Sequence, residues 1–168
     1  EYKNKIQFDG NKGNFGNLSS LLKCYETAKL NVKDLVYFVE DDYIHEEKCL
    51  FGMIETYERI SSQLKREIFI CPSDYPYLYT DIGQSKIFAG SNRHWRTVNK
   101  ILCTFLVSKE HLSKYWDNFN KTCLIRNDPF EKYINEIFNK EICISPLKSL
   151  AVHITNVNSS YGLSPYIN

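Results

Sequence analysis

Residues 35–42 read Leu-Val-Tyr-Phe-Val-Glu-Asp-Asp, so an apolar run of five residues ends in three consecutive carboxylates. The run is short and rich in β-branched and aromatic residues, which is typical of a buried strand. Three acids at the end of a buried strand repel one another and need a cation or hydrogen-bond donors nearby. A hard divalent metal that also holds a phosphate meets this need. The stretch therefore predicts a metal-assisted site for a phosphorylated ligand, placed where open α/β sheets usually keep their sites.

Length and composition predict one domain over residues 1–168 and exclude several classes of protein. The chain of 168 residues carries a formal net charge of +1, so we expect no nucleic-acid partner. No stretch approaches the roughly 20 apolar residues of a membrane span, and we expect none. The six cysteines include no Cys-x-x-Cys pair, which argues against a structural zinc site. We interpret them as reduced core thiols of a cytoplasmic protein.

The periodicity of apolar residues predicts strands that alternate with helices. Residues 44–65 carry apolar side chains at helical spacing, and residues 67–71 form another short apolar run. A strand–helix–strand unit of this kind places the acids and the loop at 72–76 at one edge of a parallel sheet. The fold class we predict is α/β, with a mixed, mostly parallel sheet flanked by helices. The other predicted strands are 5–8, 86–89, 100–107 and 142–144, and the other predicted helices begin near residue 17, after Ser108 and at 127, with a loop-like tail from 145.

The acidic triplet itself has a preferred geometry. Side chains alternate along an extended chain, so Glu40 and Asp42 face one way and Asp41 faces another. Glu40 and Asp42 can therefore meet one cation, directly or through water. The alternative is a solvated loop or the start of the next helix, where acids are also favoured.

This acidic triplet after a core strand resembles the "DXD" signature of GT-A glycosyltransferases, here in an E-D-D variant. Three further segments occur in the order expected for that family, and together they are similar to small GT-A enzymes of bacteria and large DNA viruses, including those that decorate capsid glycans. The segments are Ser73-Asp74-Tyr75-Pro76, Asn92-Arg93-His94-Trp95-Arg96-Thr97 and Ser145-Pro146-Leu147-Lys148-Ser149-Leu150-Ala151-Val152-His153.

The resemblance implies a GT-A-like fold and a cation, Mn²⁺ or Mg²⁺, that holds the diphosphate of a nucleotide-sugar. Glu40, Asp41 and Asp42 would contact this cofactor, with Asp42 and Glu40 as metal ligands. A histidine near the C-terminus completes the metal site in several such enzymes, and His153 matches it. Neutral imidazole is a good ligand for such ions. The alternative is a capped or partly buried His153 with no ligand role.

Asp128 is the candidate base, because an inverting transfer needs a carboxylate to take the proton of the acceptor hydroxyl. An alternative explains it without catalysis. Asp128 and Glu131 have the spacing of a capping box, with Pro129 at the first helical position.

The substrate-binding candidates lie on the other segments. Trp95 offers an aromatic face to a sugar and Arg96 suits a phosphate or sugar hydroxyls, although a core tryptophan and a surface arginine are equally good interpretations. Asp74 and Tyr75 end a predicted strand and are expected to line the same cleft as the acids. Asn17 follows a glycine-rich loop before a predicted helix and is a candidate contact of the donor.

The function that we predict is a metal-dependent hexosyltransferase-type glycosyltransferase, with a nucleotide-sugar donor and a glycan or glycoprotein acceptor. Two alternatives stay open: a metal-dependent phosphohydrolase or nucleotidyltransferase that uses the same acids, and a non-catalytic glycosyltransferase-like domain. GT-A enzymes carry a longer segment before the acids than the 39 residues present here. We therefore expect part of the N-terminal nucleotide-binding segment to be missing or reduced.

Overall fold

The computed structural model describes residues 17–80, 83–124 and 129–154; the predicted strand at 5–8 lies outside them. The helices in these ranges are α1 (Asn17–Asn31), α2 (Cys49–Leu64), α3 (Lys109–Lys114), α4 (Trp116–Leu124) and α5 (Lys132–Asn135), with 3-10 helices at Pro76–Tyr79 and Glu136–Asn139. The strands are β1 (Leu35–Phe38), β2 (Tyr43–His45), β3 (Phe69–Ile70), β4 (Ile87–Ala89), β5 (His94–Val98), β6 (Phe105–Ser108), β7 (Cys143–Pro146) and β8 (Ala151–His153).

The strands form a six-stranded sheet in the order β1-β6-β3-β7-β5-β4 and a separate two-stranded sheet of β2 and β8. The α/β class with helices around a mixed sheet is confirmed. The prediction of a mostly parallel sheet is wrong for the described residues, because among them β3 and β7 are the only parallel pair. The other four pairs of this sheet are antiparallel. A short buried apolar run does not reveal the direction of its neighbour, so the apolar pattern alone did not distinguish these arrangements.

The sheet separates two hydrophobic cores, one on each face. Successive side chains of a strand point to opposite faces, and β6 shows this directly. Phe105 and Val107 pack into a core with α1, α3, α4 and α5, whereas Leu106 packs into a second core against α2. A side chain of this size stabilises the fold by roughly 1.5–3 kcal/mol when fully buried.

Local capping residues explain where two helices begin and end. Ser108 caps α3 as predicted, because its hydroxyl oxygen accepts the backbone N–H of His111 at 3.2 Å. The helix predicted over 44–65 is observed as α2, which begins later than predicted, at Cys49. It ends at Leu64, and the following Lys65 adopts a left-handed conformation with φ of 53° and donates its N–H to the carbonyl of Ser61. Left-handed C-caps of this kind commonly terminate helices.

Three strands were not predicted: β2, β5 and β8. The predicted helix includes residues 44 and 45, residues 94–98 follow a predicted turn, and residues 151–153 fall in the predicted loop-like tail. β2 and β8 have three residues each, which is too short for the alternation of apolar and polar residues to stand out. β5 contains His94, Arg96 and Thr97, and this polar content hides its strand character.

The six cysteines all lie in the described ranges and are free thiols there. Five of them are buried, whereas Cys24 on α1 is exposed. None of the helices in the part of the chain that the structure describes has both the length and the apolar character that crossing a membrane requires.

Candidate functional site

Three neighbouring segments of the candidate site follow strands of the large sheet that run in the same direction, β1, β3 and β7, so they leave the sheet at one edge. β1 and β3 both pair antiparallel with β6, and β7 is parallel to β3. The acids that follow β1 and the loop that follows β3 therefore lie at the same edge. This shared edge is confirmed, although β6 separates the two strands. The segment after β7 starts from the same edge and leads to β8 and His153.

Asp42 and His153 are in direct contact at this edge. His153 Nε2 lies 2.8 Å from Asp42 Oδ2, although the residues are 111 positions apart in the chain. The pairing of β2 with β8 brings them together, and the backbone N–H of Ile154 donates to the carbonyl of Asp42 at 2.7 Å. The expectation that residues 145–153 bring His153 close to the acids is thus confirmed. Its role as a metal ligand stays a prediction.

Glu40 lies beside this pair in a partly buried position. Its backbone N–H donates to Thr104 Oγ1 at 3.0 Å, and the Thr104 hydroxyl lies 3.3 Å from Glu40 Oε2, to which it can donate. Burial raises the pKa of the Glu40 carboxyl to about 7, and the negative charges of Asp42 and Glu131 contribute to the rise. A carboxyl group in this state gains from a nearby cation, because a cation would stabilise its charged form.

Asp41 differs from its two neighbours in exposure, although the alternation expected of an extended chain is not the reason, because β1 ends at Phe38 and residues 41 and 42 form a turn. Asp41 is exposed to solvent, whereas Glu40 and Asp42 are half-buried. Its charge contributes less to the raised pKa of Glu40 than the charge of Asp42 does. Glu40 and Asp42 therefore share one environment, and Asp41 faces solvent.

Glu131 is a further acidic residue near the site. The sequence predicts for it only a place in a capping box. It precedes α5 and makes no side-chain capping hydrogen bond. Burial raises the pKa of its carboxyl, and the positive charge that His153 can carry opposes this rise. Its electrostatic coupling to both Glu40 and His153 places it near both groups. The sequence did not predict a functional role for Glu131, because a capping box already accounted for its spacing from Asp128.

The side chains around Asp42 offer a divalent cation few ligands from the protein. Within residues 17–80, 83–124 and 129–154, no group of three or more His, Cys, Asp or Glu side chains is arranged to hold a metal ion. Asp42 Oδ1 is nevertheless buried and has no hydrogen-bond partner in the part of the chain that the structure describes. Adjacent ligands of an octahedral ion with bonds of about 2.1 Å lie about 3 Å apart. The 2.8 Å between Asp42 Oδ2 and His153 Nε2 is close to that value but is equally the length of a hydrogen bond between them, so a cation at this point would have to displace that hydrogen bond and take its other ligands from water or phosphate.

Asp74 and Arg96, both predicted to bind substrate, bind each other. Arg96 Nη2 lies 2.5 Å from Asp74 Oδ1, and the two side chains are 9% and 0% exposed. Asp74 Oδ2 accepts the Tyr79 hydroxyl at 2.5 Å and the backbone N–H of Lys148 at 3.3 Å. The guanidinium of Arg96 also stacks on the ring of Tyr79, 4.1 Å from its centroid. The side chains of Asp74 and Arg96 are therefore engaged in contacts within the protein.

Trp95 and Tyr75 also lie in the interior. Trp95 is 1% exposed and belongs to the core beneath α2, which matches the alternative of a core tryptophan. Its indole leaves no room at Gly90, where a Cβ would lie 2.3 Å from Trp95 Nε1. Tyr75 is fully buried, with its hydroxyl 2.5 Å from that of Tyr43. In this structure neither ring presents an open face to a sugar.

Two candidates from the sequence cannot be placed around the site. α1 begins at Asn17, and the position of its side chain lies outside what the structure describes. Asp128 lies outside the described residues as well. Both roles stay predictions.

In comparisons with known proteins, no family model and no curated protein matches this chain. The resemblance to glycosyltransferases therefore depends on the residues and their arrangement, and the function that follows from it is a proposal.

Proposed function

We propose that the protein is a metal-dependent glycosyltransferase. It would move a sugar from a nucleoside-diphosphate sugar to a hydroxyl of a glycan or glycoprotein acceptor. The observation that carries the proposal is the contact between Asp42 and His153 at the sheet edge where β1, β3 and β7 end. An acidic triplet alone has many explanations. An acid that meets a histidine from the far end of the described chain, with one carboxylate oxygen left unpaired, supports a ligand site.

Asp42 and His153 would hold the cation, with Glu40 close by as a further acid. Carboxylate oxygens suit both Mg²⁺ and Mn²⁺, and an imidazole favours Mn²⁺ of the two. When bound, such a cation would act as a Lewis acid that neutralises the diphosphate leaving group. Asp128 stays the predicted base for an inverting transfer, since the acceptor hydroxyl must lose its proton to a carboxylate.

The test compares two neighbouring acids that differ in position. Isothermal titration calorimetry would measure binding of Mn²⁺ and of nucleoside diphosphates to the wild type, to Asp42→Asn and to Asp41→Asn. We expect Asp42→Asn to weaken Mn²⁺-dependent nucleotide binding by about 10-fold or more. Asp41→Asn is the matched control and should bind as the wild type does, because Asp41 is exposed. Unchanged binding by Asp42→Asn would refute the site.

A non-catalytic glycosyltransferase-like domain is the second candidate. The absence of a three-ligand cluster among the described residues favours it, as does the internal use of Asp74 and Arg96. A domain of this kind would bind a sugar or a partner without breaking the donor. Incubation with a panel of nucleotide-sugars and Mn²⁺ separates the two candidates, because only the enzyme releases nucleoside diphosphate.

A further inference from the structure

We propose that a cleft over the outer strands of the large sheet binds a saccharide and serves as the site of the acceptor glycan. The acceptor role rests on the proposed function, whereas saccharide binding itself needs neither a cation nor a nucleotide. The cleft has a volume of about 500 Å³, which is within the range of ligand pockets in proteins. We call it the Tyr79 cleft, and the residues that matter for the argument are Tyr79, Gln84, Ile87, Arg96 and Asn99.

The floor of the Tyr79 cleft is formed by two neighbouring strands. Ile87 of β4 and Arg96 of β5 are directly opposite each other in the antiparallel register, so their side chains lie on the same face of the sheet. Trp95, the residue before Arg96, packs into the core beneath α2 on the other face. Ile87 is 55% exposed. Its side chain therefore gives the floor an apolar surface that is open to a ligand.

Tyr79 gives the cleft a fixed aromatic wall. Its hydroxyl donates to Asp74 Oδ2 at 2.5 Å, and the guanidinium of Arg96 lies 4.1 Å from the centroid of its ring. One face of the ring is thus covered, yet Tyr79 is still 42% exposed. The exposed surface therefore belongs to the other face and the edge of the ring. A side chain held at both points loses little conformational freedom when a ligand packs against it.

The charges along the Tyr79 cleft favour a neutral ligand. The guanidinium of Arg96 is already compensated, because Nη2 lies 2.5 Å from Oδ1 of the buried Asp74. Lys100 is the other charged residue among the described residues that line the cleft, and it is exposed to solvent. Arg96 is 7% exposed, and its Nε–H is buried without an acceptor in the part of the chain that the structure describes. Buried donors of this kind are rare, and a ligand hydroxyl that reaches the floor would satisfy this one without adding a charge.

Two amide side chains at the rim provide hydrogen bonds that suit sugar hydroxyls. Gln84 precedes β4 and Asn99 follows β5, and both are exposed. An amide donates and accepts hydrogen bonds side by side, as two neighbouring hydroxyls do. Apolar and aromatic surface with a few such polar groups is the usual lining of a small-molecule site. This combination matches a sugar ring, which has an apolar face and hydroxyls at its edge.

The Tyr79 cleft is one short helical segment away from the acidic edge. Tyr75 contacts Tyr43, the neighbour of Asp42, with the two hydroxyls 2.5 Å apart. The 3-10 helix Pro76–Tyr79 leads from there to the cleft. Four residues of such a helix cover about 8 Å, at about 2 Å per residue. A short oligosaccharide spans this distance, so an acceptor held in the cleft can present its end to the acids.

The test of saccharide binding is a two-dimensional amide NMR titration of the wild type without metal or nucleotide. The probes are the methyl glycosides of glucose, galactose, mannose and N-acetylglucosamine, with inorganic phosphate as the anion probe. We expect at least one glycoside to shift the signals of Ile87 and Arg96, while the signals of Ile44 and Val152 on the two-stranded sheet stay in place. The inference is overturned by the absence of a shift with every glycoside, by shifts confined to the two-stranded sheet, or by a response of the cleft to phosphate alone.

Two variants and a matched control locate the contacts with the glycoside that binds. Ile87→Ala removes apolar surface from the floor and Asn99→Ala removes an amide from the rim, so each should weaken binding about 5-fold. Ile44→Ala is the control, because Ile44 also lies on a strand, is 63% exposed and is not part of the cleft. It should bind the glycoside as the wild type does. All three residues are exposed, so the variants should fold.

The outcomes separate this inference from the proposed function. Wild-type affinity in both Ile87→Ala and Asn99→Ala overturns the inference and leaves the proposed function in place. Glycoside binding in the cleft by a protein that releases no nucleoside diphosphate from any nucleotide-sugar has the opposite meaning. It removes the acceptor role together with the proposed function, and the saccharide site remains.

Discussion

Asp74 and Arg96 form an ion pair that is closed to solvent on both sides, with Arg96 Nη2 2.5 Å from Asp74 Oδ1. The pair joins the segment after β3 to β5. It therefore connects the edge that carries the acids to the outer strands of the large sheet. Breaking a buried pair costs far more than breaking an exposed one, because the remaining charge is left without a partner.

Asp74→Asn should destabilise the protein by about 3–5 kcal/mol, since it leaves the Arg96 guanidinium buried and unpaired. Urea unfolding followed by tryptophan fluorescence would measure the loss. Glu46→Gln is the matched control, because Glu46 also faces an arginine, at 3.0 Å, but its side chain is 45% exposed. The control should lose less than about 1 kcal/mol. Equal losses in the two variants would contradict the structural role of the Asp74 pair.

Gly90→Ala should destabilise the protein by about 1–3 kcal/mol through overpacking. The new Cβ would lie 2.3 Å from Trp95 Nε1 and 2.9 Å from Thr56 Oγ1, and both of these side chains are buried. Gly52→Ala is the control, because its Cβ would meet only the methyl groups of Leu150, at 3.9 Å. Gly52 lies in α2, so alanine there should gain up to about 1 kcal/mol from helix propensity. Thermal unfolding of both variants would show shifts of opposite sign.

The acidic edge was predictable from sequence because its signal is local. An apolar run that ends in Glu40 and Asp42 identifies both a strand and the side chains at its end. The contact of Asp42 with His153 was anticipated from the order of segments in a known family, not from the physics of the sequence. β2 and β8, which create that contact, have three residues each and no strand pattern of their own.

The burial of Trp95 and Arg96 was not predictable from the sequence. Both belong to β5, and successive residues of a strand face opposite sides of the sheet. Whether a large aromatic side chain there meets solvent or α2 depends on which helix covers that face. The residues near Trp95 in the sequence do not indicate which helix packs on that face. The partner of Arg96 is 22 positions away, which is likewise not readable from a local pattern.

Saturating Mn²⁺ should raise the melting temperature of the wild type, if the proposed site binds it. At a concentration 100 times the Kd, binding adds about 2.7 kcal/mol to the free energy of unfolding, which corresponds to about 5–10 °C for a chain of this size. His153→Gln should lose at least about half of this shift, because it removes a ligand. His94→Gln, which replaces an exposed histidine on β5, should retain all of it. The same shift in both variants would remove His153 from the site.

Glu141 should account for part of the acid sensitivity of the protein. Burial alone would raise its pKa, but hydrogen bonds from Lys114, Tyr115 and Arg66 outweigh burial and lower the pKa to about 2. A carboxyl whose pKa is lower in the folded state stabilises that state above its unfolded pKa of about 4.3, and this contribution is lost as the pH falls through the folded value. The advantage of the wild type over Glu141→Gln should therefore be constant above about pH 7, where the neighbouring His111, 3.5 Å from Glu141, is neutral in both proteins.

Between pH 4.5 and pH 2 that advantage should shrink as the Glu141 carboxylate takes up its proton. Urea unfolding of both proteins at several pH values would measure the difference in free energy, from which contributions of the other carboxylates cancel. The control is Glu110→Gln, which changes an exposed acid in the first turn of α3. It should stay within about 0.5 kcal/mol of the wild type. A Glu141→Gln difference that does not depend on pH would show that the carboxylate is not held ionised by Arg66 and Lys114.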